Sequence, residues 1–118
     1  MAAKLTTHVL DTANGCPAAQ MQIELWALTG NGRKLLKSVR TNGDGRTEQP
    51  LLSGAELAAG QYELVFFVGD YFEAKTGEKL AVRFLDCVPV RFGIGEPAAS
   101  YHVPLLCSPW SYSTYRGS

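Results

Sequence analysis

Neither sign of charge prevails in this chain: 11 Lys and Arg stand against 11 Asp and Glu in 118 residues. That balance excludes a global field that would steer nucleic acid or an anionic membrane, and no basic run makes up for it. Long apolar runs are missing too. The opening MAAKLTTHVLD shows neither a secretory leader nor a membrane-spanning helix, so the expectation is a soluble, cytoplasmic protein without nucleic-acid or membrane partners. Cysteine is scarce, and Cys16, Cys87 and Cys107 are odd in number and scattered. Such a set suits a reduced intracellular protein better than a disulfide framework, with each thiol expected as a small buried hydrophobe. Internal repeats and low-complexity segments are absent. What remains is an ordinary 46% hydrophobic content on a length that fits one domain, 1–118, able to bury a core without a staple.

The apolar residues fall at the period of half-buried strands. In QMQIELWAL, Met21, Ile23, Leu25 and Ala27 share one face; in YELVFFV, Tyr62, Leu64, Phe66 and Val68 do so; in VPVRFGI, Val88, Val90, Phe92 and Ile94. In SYHVPLL the apolar set is Tyr101, Val103 and Leu105, which places His102 on the opposite face. Weaker strand candidates are Leu5 to Leu10, Lys34 to Arg40, Arg46 to Leu51 and Ser113 to Ser118. Asn14-Gly15, Gly30-Asn31-Gly32, Asn42-Gly43-Asp44-Gly45 and Gly95-Glu96-Pro97 punctuate them as turns. One stretch departs from the alternation. DYFEAKTG predicts a short helix with Asp70 as N-cap, Glu73 three residues on and Gly77 as its end. About eight short strands and one small helix predict an all-β sandwich.

Few residues are equipped for chemistry. His8 and His102 are the only histidines. Both fall on expected strands and off the apolar face, His8 in parity with Thr6 and Leu10. A strand histidine is commonly structural, yet a pair off the core could serve as general base and acid, since imidazole titrates near neutrality. Metal binding is the competing chemistry, but no Cys-x-x-Cys, no His-x-x-x-His and no ligand-spaced carboxylate accompanies either ring. There is no Gly-x-Ser-x-Gly elbow, and TNGDGR lacks the Lys-Ser/Thr of a phosphate loop. That segment reads as a hairpin turn. It also reads as a turn that delivers Arg46 to the start of a strand, where the guanidinium can clamp a carbonyl or a developing oxyanion. The closing YSTYRGS is aromatic and β-branched, composition that suits a docked last strand more than a frayed tail.

LTTHVLDTANGCPA, TNGDGR and YHVPLLCSPWSYSTYRGS together resemble the 5-hydroxyisourate hydrolases, the transthyretin-related enzymes of urate breakdown. The likeness runs from Leu5 to Ser118, and the terminal Tyr-Arg-Gly-Ser is the family mark that the carrier transthyretin lacks. Two departures, Cys107 and Trp110-Ser111, stand where many relatives have Leu and Tyr-Gly. The resemblance implies a transthyretin-like sandwich and hydrolysis of 5-hydroxyisourate at a ring amide, giving 2-oxo-4-hydroxy-4-carboxy-5-ureidoimidazoline. It implies His8, Arg46 and His102 as catalytic residues, with Tyr115, Arg116, Gly117 and Ser118 completing the substrate site. No metal and no cofactor is implied. A homotetramer with sites in a channel between subunits is implied, as is a cytoplasmic location, or a peroxisomal one for a eukaryotic chain shorn of its targeting segment. The alternative on the same fold is a non-catalytic carrier of small ligands. Pro104 cannot donate to a ladder, so a local irregularity is expected where the family places that strand inside a sheet.

Overall fold

The alternating segments resolve into two layers of sheet. The computed structural model describes residues 2–118. In chain order the strands are β1 (Lys4–Thr6), β2 (Val9–Asp11), β3 (Cys16–Pro17), β4 (Gln22–Thr29), β5 (Gly32–Arg40), β6 (Leu52–Ser53) and β7 (Gly60–Phe66). After helix α1 (Val68–Thr76) come β8 (Val88–Ile94), β9 (Tyr101–His102), β10 (Leu105–Cys107) and β11 (Tyr112–Thr114). The first layer is an antiparallel sheet in the order β5-β4-β7-β8. Ile23 pairs with Phe66, and Leu25 with Leu64, so the inward residues of the two central strands lie abreast. A register shift against β5 falls between Leu25 and Trp26.

The second layer is built on two long segments that run parallel. β1 pairs with β9 through Leu5↔Tyr101 and Thr6↔His102, and β2 pairs with β10 through Val9↔Leu105 and Leu10↔Leu106. The register is the same on both sides of the break. Backbone bonds carry it across: Val103 N–H donates to Thr6 O and Leu105 N–H to His8 O, each at 2.9 Å. β6 flanks β1, while β11 flanks β10 and β3 flanks β2. Leu5, Val9, Tyr101, Val103 and Leu105 face the first layer and join Ile23, Leu25, Leu64, Phe66, Val88 and Ile94 in one core. Each such side chain contributes roughly 1.5–3 kcal/mol by leaving water, so a one-residue slip that turned this set outward is strongly disfavoured. The expected transthyretin-like all-β sandwich with one α-helix is what forms. Among the described residues the strands number eleven because the two long segments are each interrupted, β3 is added and β6 stands in for the expected strand at Arg46 to Leu51.

Three local expectations fail for tertiary reasons. The helix begins at Val68 with Phe67 at its N-cap and no side-chain cap, not at Asp70. Val68, Tyr71 and Phe72 are buried, so core burial draws the start back one turn, and the Asp70 carboxylate pairs with Arg83 at 2.8 Å. Its C-terminal end does fall at Gly77, in the left-handed region at φ 76°. Arg46 to Leu51 forms no strand, since Thr47 bonds locally to Gln49 O at 2.5 Å and Pro50 interrupts; only Leu52–Ser53 pairs. Of the thiols, only Cys107 is buried; Cys16 is half-buried and Cys87 exposed.

The helix is tied to the second layer by a buried carboxylate. Asp11 Oδ2 accepts from Tyr71 Oη at 2.8 Å and from Asn14 Nδ2 at 2.7 Å, and Oδ1 accepts from Asn14 N–H at 2.9 Å. Burial alone would raise the Asp11 carboxyl, but the bonds from Asn14 and Tyr71 outweigh it and hold the group below its ordinary 3.8. A lowered carboxyl supplies stability above that ordinary value and loses it as pH falls through the folded one. Tyr71→Phe should therefore cost about 1.5–3 kcal/mol at neutral pH, the worth of a hydrogen bond to a charged group. Urea titration checks this, and the gap from the parent should narrow as the pH is taken below 3.8.

Candidate active site

Strand parity sets the site on the outer face of the second layer. On β9, Tyr101 is buried and His102 points outward, between Tyr101 and the equally buried Val103. His102 Nδ1 shares a 2.9 Å hydrogen bond with Oγ1 of Thr6, its partner in the parallel register. His8 lies in the gap between β1 and β2, which corrects the expectation of a strand position. Its outward parity persists, because Thr7 and Val9 on either side are buried and the Thr7 hydroxyl is held by Val103 O at 2.7 Å. His8 Nε2 lies 2.9 Å from the carbonyl of Asp44. A carbonyl can only accept, so Nε2 carries the proton and Nδ1 is the ring atom left to take one.

The Asp44 carbonyl is delivered by a turn that the sequence encodes in Asn42-Gly43-Asp44-Gly45. Asn42 Oδ1 accepts from Asp44 N–H at 2.9 Å and from Arg46 N–H at 3.1 Å. Asn42 N–H donates to Arg46 O at 2.7 Å, and Gly45 O accepts from Val9 N–H at 2.8 Å. Gly45 sits at φ +75°, and a Cβ there would run into the Val9 carbonyl, so the turn can press against β2 only with glycine. Arg46 thus sits on a bend after the turn, not at the head of a strand as expected. Its charge reaches His102 all the same. Partial burial first, then the positive charges of Arg46 and His8, hold the His102 ring below its ordinary 6.5.

The terminal segment docks as an antiparallel strand. β11 pairs with β10 through Leu105↔Thr114 and Cys107↔Tyr112. The same register resumes beyond a gap, where His102 pairs with Gly117 and Gly117 N–H donates to His102 O at 2.7 Å. The gap lies opposite Pro104, which has no N–H to offer; Thr114 Oγ1 caps its carbonyl instead at 2.7 Å. This is the irregularity expected at Pro104. Gly117 is needed for a steric reason, since a Cβ there would fall 2.5 Å from Cδ2 of His102. Tyr115 is 60% exposed. Arg116 turns away from the imidazoles: its guanidinium lies 4.2 Å from the Tyr101 ring centroid and donates to Ser100 O at 3.2 Å. Ser118 is exposed at the end.

His8, Arg46, His102 and Gly117 are thus brought together, while Arg116 is engaged elsewhere. Thr6, Asn42 and the Asp44 carbonyl escaped the reading of the sequence. Thr6 had a signal, its parity with His8 beside a histidine-bearing strand; a backbone carbonyl has none. Among the described residues no three His, Cys, Asp or Glu side chains group as a metal site, and no helix is long and apolar enough to cross a membrane.

Two sheets face to face, with one helix and an outward pair of imidazoles, define a transthyretin-like protein. The family model for the HIUase/Transthyretin family matches residues 5–117, and the chain belongs to that family. A 5-hydroxyisourate hydrolase of Mesorhizobium japonicum is 57% identical over 115 residues, covering 98% of this chain and 92% of that protein. The crystal structure of (S)-allantoin synthase superposes with a TM-score of 0.92 at 52% identity, over 99% of this chain and 44% of that longer one. Transthyretin from Sparus aurata shares the fold with a TM-score of 0.84 at 25% identity, covering 98% of this chain and 97% of that one.

The lowered His102 value means that the fold favours the neutral ring. Stability from this group is fully present above 6.5 and is lost as pH falls through the folded value. Arg46→Gln removes one of the two opposing charges, so the His102 midpoint should move upward toward 6.5 in an NMR titration of its ring protons. An unmoved midpoint would mean that Arg46 does not face the imidazole.

Proposed function

We propose that this chain, acting as one domain, hydrolyses the ring amide of 5-hydroxyisourate to 2-oxo-4-hydroxy-4-carboxy-5-ureidoimidazoline, a step of urate degradation. The observation that carries the reading is the clustering of two outward imidazoles and one guanidinium on a chain 57% identical to a protein named for that reaction. One imidazole takes a proton from water as the oxygen attacks the ring carbonyl. The tetrahedral oxyanion collapses, the ring C–N bond breaks, and the other imidazole protonates the departing nitrogen. Arg46 holds the substrate oxygens and stabilises the oxyanion; a preorganised donor of this kind lowers the barrier by roughly 2.7–4 kcal/mol. No metal or organic cofactor takes part. Gly117 admits the tail beside His102, Tyr115 and Ser118 border the substrate, and Arg116 fastens the tail through Tyr101 and Ser100.

The working form is a homotetramer with its sites between subunits, and its place is the cytoplasm. Two features support the assembly. His102, Leu10 and Leu106 share an outer face on which both leucines are only half-buried in a single chain. Val82, Phe84 and Trp110 are 86%, 77% and 71% exposed in a single chain, large apolar side chains of the kind that subunit contacts cover.

The test is the ultraviolet decay of hydroxyisourate generated from urate by uricase. His8→Ala and His102→Ala should each slow turnover by about 10²–10⁴-fold with the fold intact. Arg46→Lys keeps the charge but loses the planar fork, so much of the activity should go as well. Near-parent rates in a folded histidine variant would remove that ring from the mechanism, and full function with lysine would remove the clamp.

Shortening the chain probes the tail separately. Deleting Tyr115 to Ser118 takes away the glycine beside His102 but none of the buried core. The shortened protein should remain folded by circular dichroism and assembled by gel filtration, yet lose most hydrolase activity. Parent-like decay would show that the tetrapeptide is no part of the site.

A further inference from the structure

Among the described residues His102 Nδ1 has one hydrogen-bond partner, Thr6 Oγ1 at 2.9 Å, and Nε2 has none. No buried side-chain nitrogen or oxygen lacks a partner among those residues, so Nε2 opens onto solvent at the outer face. The two ring nitrogens are thereby divided: one is held by the protein and the other is offered to whatever binds. We propose that Thr6 is a positioning residue for His102, fixing the ring through Nδ1 so that Nε2 faces the substrate. This rests on the reading of His102 as a catalytic group.

The geometry is not an accident of rotamers. Thr6 and His102 are register partners in a parallel ladder, so their side chains leave the same face as neighbours. Thr7 anchors that register through its own hydroxyl on Val103 O at 2.7 Å. On the other side of His102, Gly117 lies so close that a Cβ would stand 2.5, 3.1 and 3.2 Å from Cδ2, Cγ and Cβ. The ring is thus confined by the tail while one edge is bonded to a hydroxyl. Flipping it would trade Nδ1 for Cδ2 at Thr6, forfeit the bond and turn Nε2 away.

A hydroxyl suits this task better than a carboxylate. It donates to a bare Nδ1 and accepts from a protonated one. For Nε2 to take a proton Nδ1 must carry its own, and Thr6 Oγ1 then accepts from Nδ1–H both before and after the transfer. A carboxylate would instead pull the ring toward the charged state, against the effect of Arg46 and His8. The bond that one nitrogen makes decides which proton the other carries. Thr6 therefore serves a ring whose Nε2 exchanges protons while Nδ1 stays bonded.

The experiment compares Thr6→Val, which keeps the shape without the hydroxyl, with Thr6→Ser, which restores it. Thr6→Val should lower kcat for hydroxyisourate decay by about 10–100-fold, on the scale seen when the outer partner of a metal-bound imidazole is removed. KM should stay near the parent value, because Thr6 does not touch substrate. Thr6→Ser should recover most of the rate. In 15N NMR the Nδ1 resonance of His102 should move in Thr6→Val and return in Thr6→Ser, while that of His8 stays in place. If Thr6→Val destabilises the strand, Thr6→Ala supplies the same deletion and the serine variant remains the control. Parent-like kcat and Nδ1 shift in the folded valine or alanine variant would overturn the proposal. So would a serine variant as slow as valine, which would assign the effect to the methyl group. A folded His102→Ala with parent activity overturns the catalytic reading instead, and the NMR comparison distinguishes the two failures.

Discussion

The site depends on one shared register. Segments 4–11 and 101–107 keep a single parallel alignment from Leu5↔Tyr101 to Asp11↔Cys107. The tail keeps a single antiparallel alignment against the latter from Cys107↔Tyr112 to His102↔Gly117. Side chains alternate with period two, so these alignments dictate that Thr6, His102 and Gly117 stand side by side on one face. A slip of one residue in segment 101–107 would send His102 into the core and Val103 into water, one in 4–11 would expose Leu5, and one in the tail would take Gly117 away from His102. The buried residues thus hold the chemistry in place without touching it. Pro104 leaves the alignment intact. Its missing N–H faces the tail, where it opens a gap opposite Tyr115 while the bonds of Val103 and Leu105 to the neighbouring segment persist.

Electrostatics in a chain of zero formal charge are set by placement alone. Asp11, the carboxylate nearest to the strands in sequence, is turned inward and spent on Tyr71 and Asn14. Asp44 meets His8 with its carbonyl, not its side chain. The imidazoles therefore have Arg46 as a charged neighbour and no bonded carboxylate to balance it. Such a neighbourhood disfavours imidazolium at His102, as the direction of its shift records, and would favour an anionic group brought to this face. The cation that opposes imidazolium at His102 is the one assigned to the oxyanion in the proposed reaction.

Much of this could be read from the sequence, because burial and alternation are local consequences of strand geometry. Met21, Ile23 and Leu25, and likewise Tyr101, Val103 and Leu105, face the core as their spacing predicts, and His102 opposes them. Gly77 ends its helix because only a left-handed residue fits there. What misled was local chemistry overruled from a distance. Asp70 has the look of an N-cap, yet Arg83 claims it and the buried start of the helix moves to Val68. Arg46 follows a tight turn but enters no strand, since Asn42 folds the turn back on itself. The role of the Asp44 carbonyl had no side-chain signature at all.

Fold cannot separate an enzyme from a carrier here, because transthyretin from Sparus aurata has the same sandwich at a TM-score of 0.84. The separation lies in what the outer face can accommodate. A carrier needs a face that accepts a ligand and leaves it unchanged, and side chains of many sizes serve that purpose. A face that must keep an imidazole in one orientation while a backbone strand lies against its edge admits a much narrower set. At position 117 the available space excludes any Cβ unless His102 moves, and at position 6 the contact with Nδ1 calls for a hydroxyl. Neither demand arises from stability, since Gly117 belongs to no buried cluster and Thr6 is only half-buried. Residues held to such tight limits where the core does not need them hold the ring itself in one orientation, which the proposed proton transfer requires and passive binding does not.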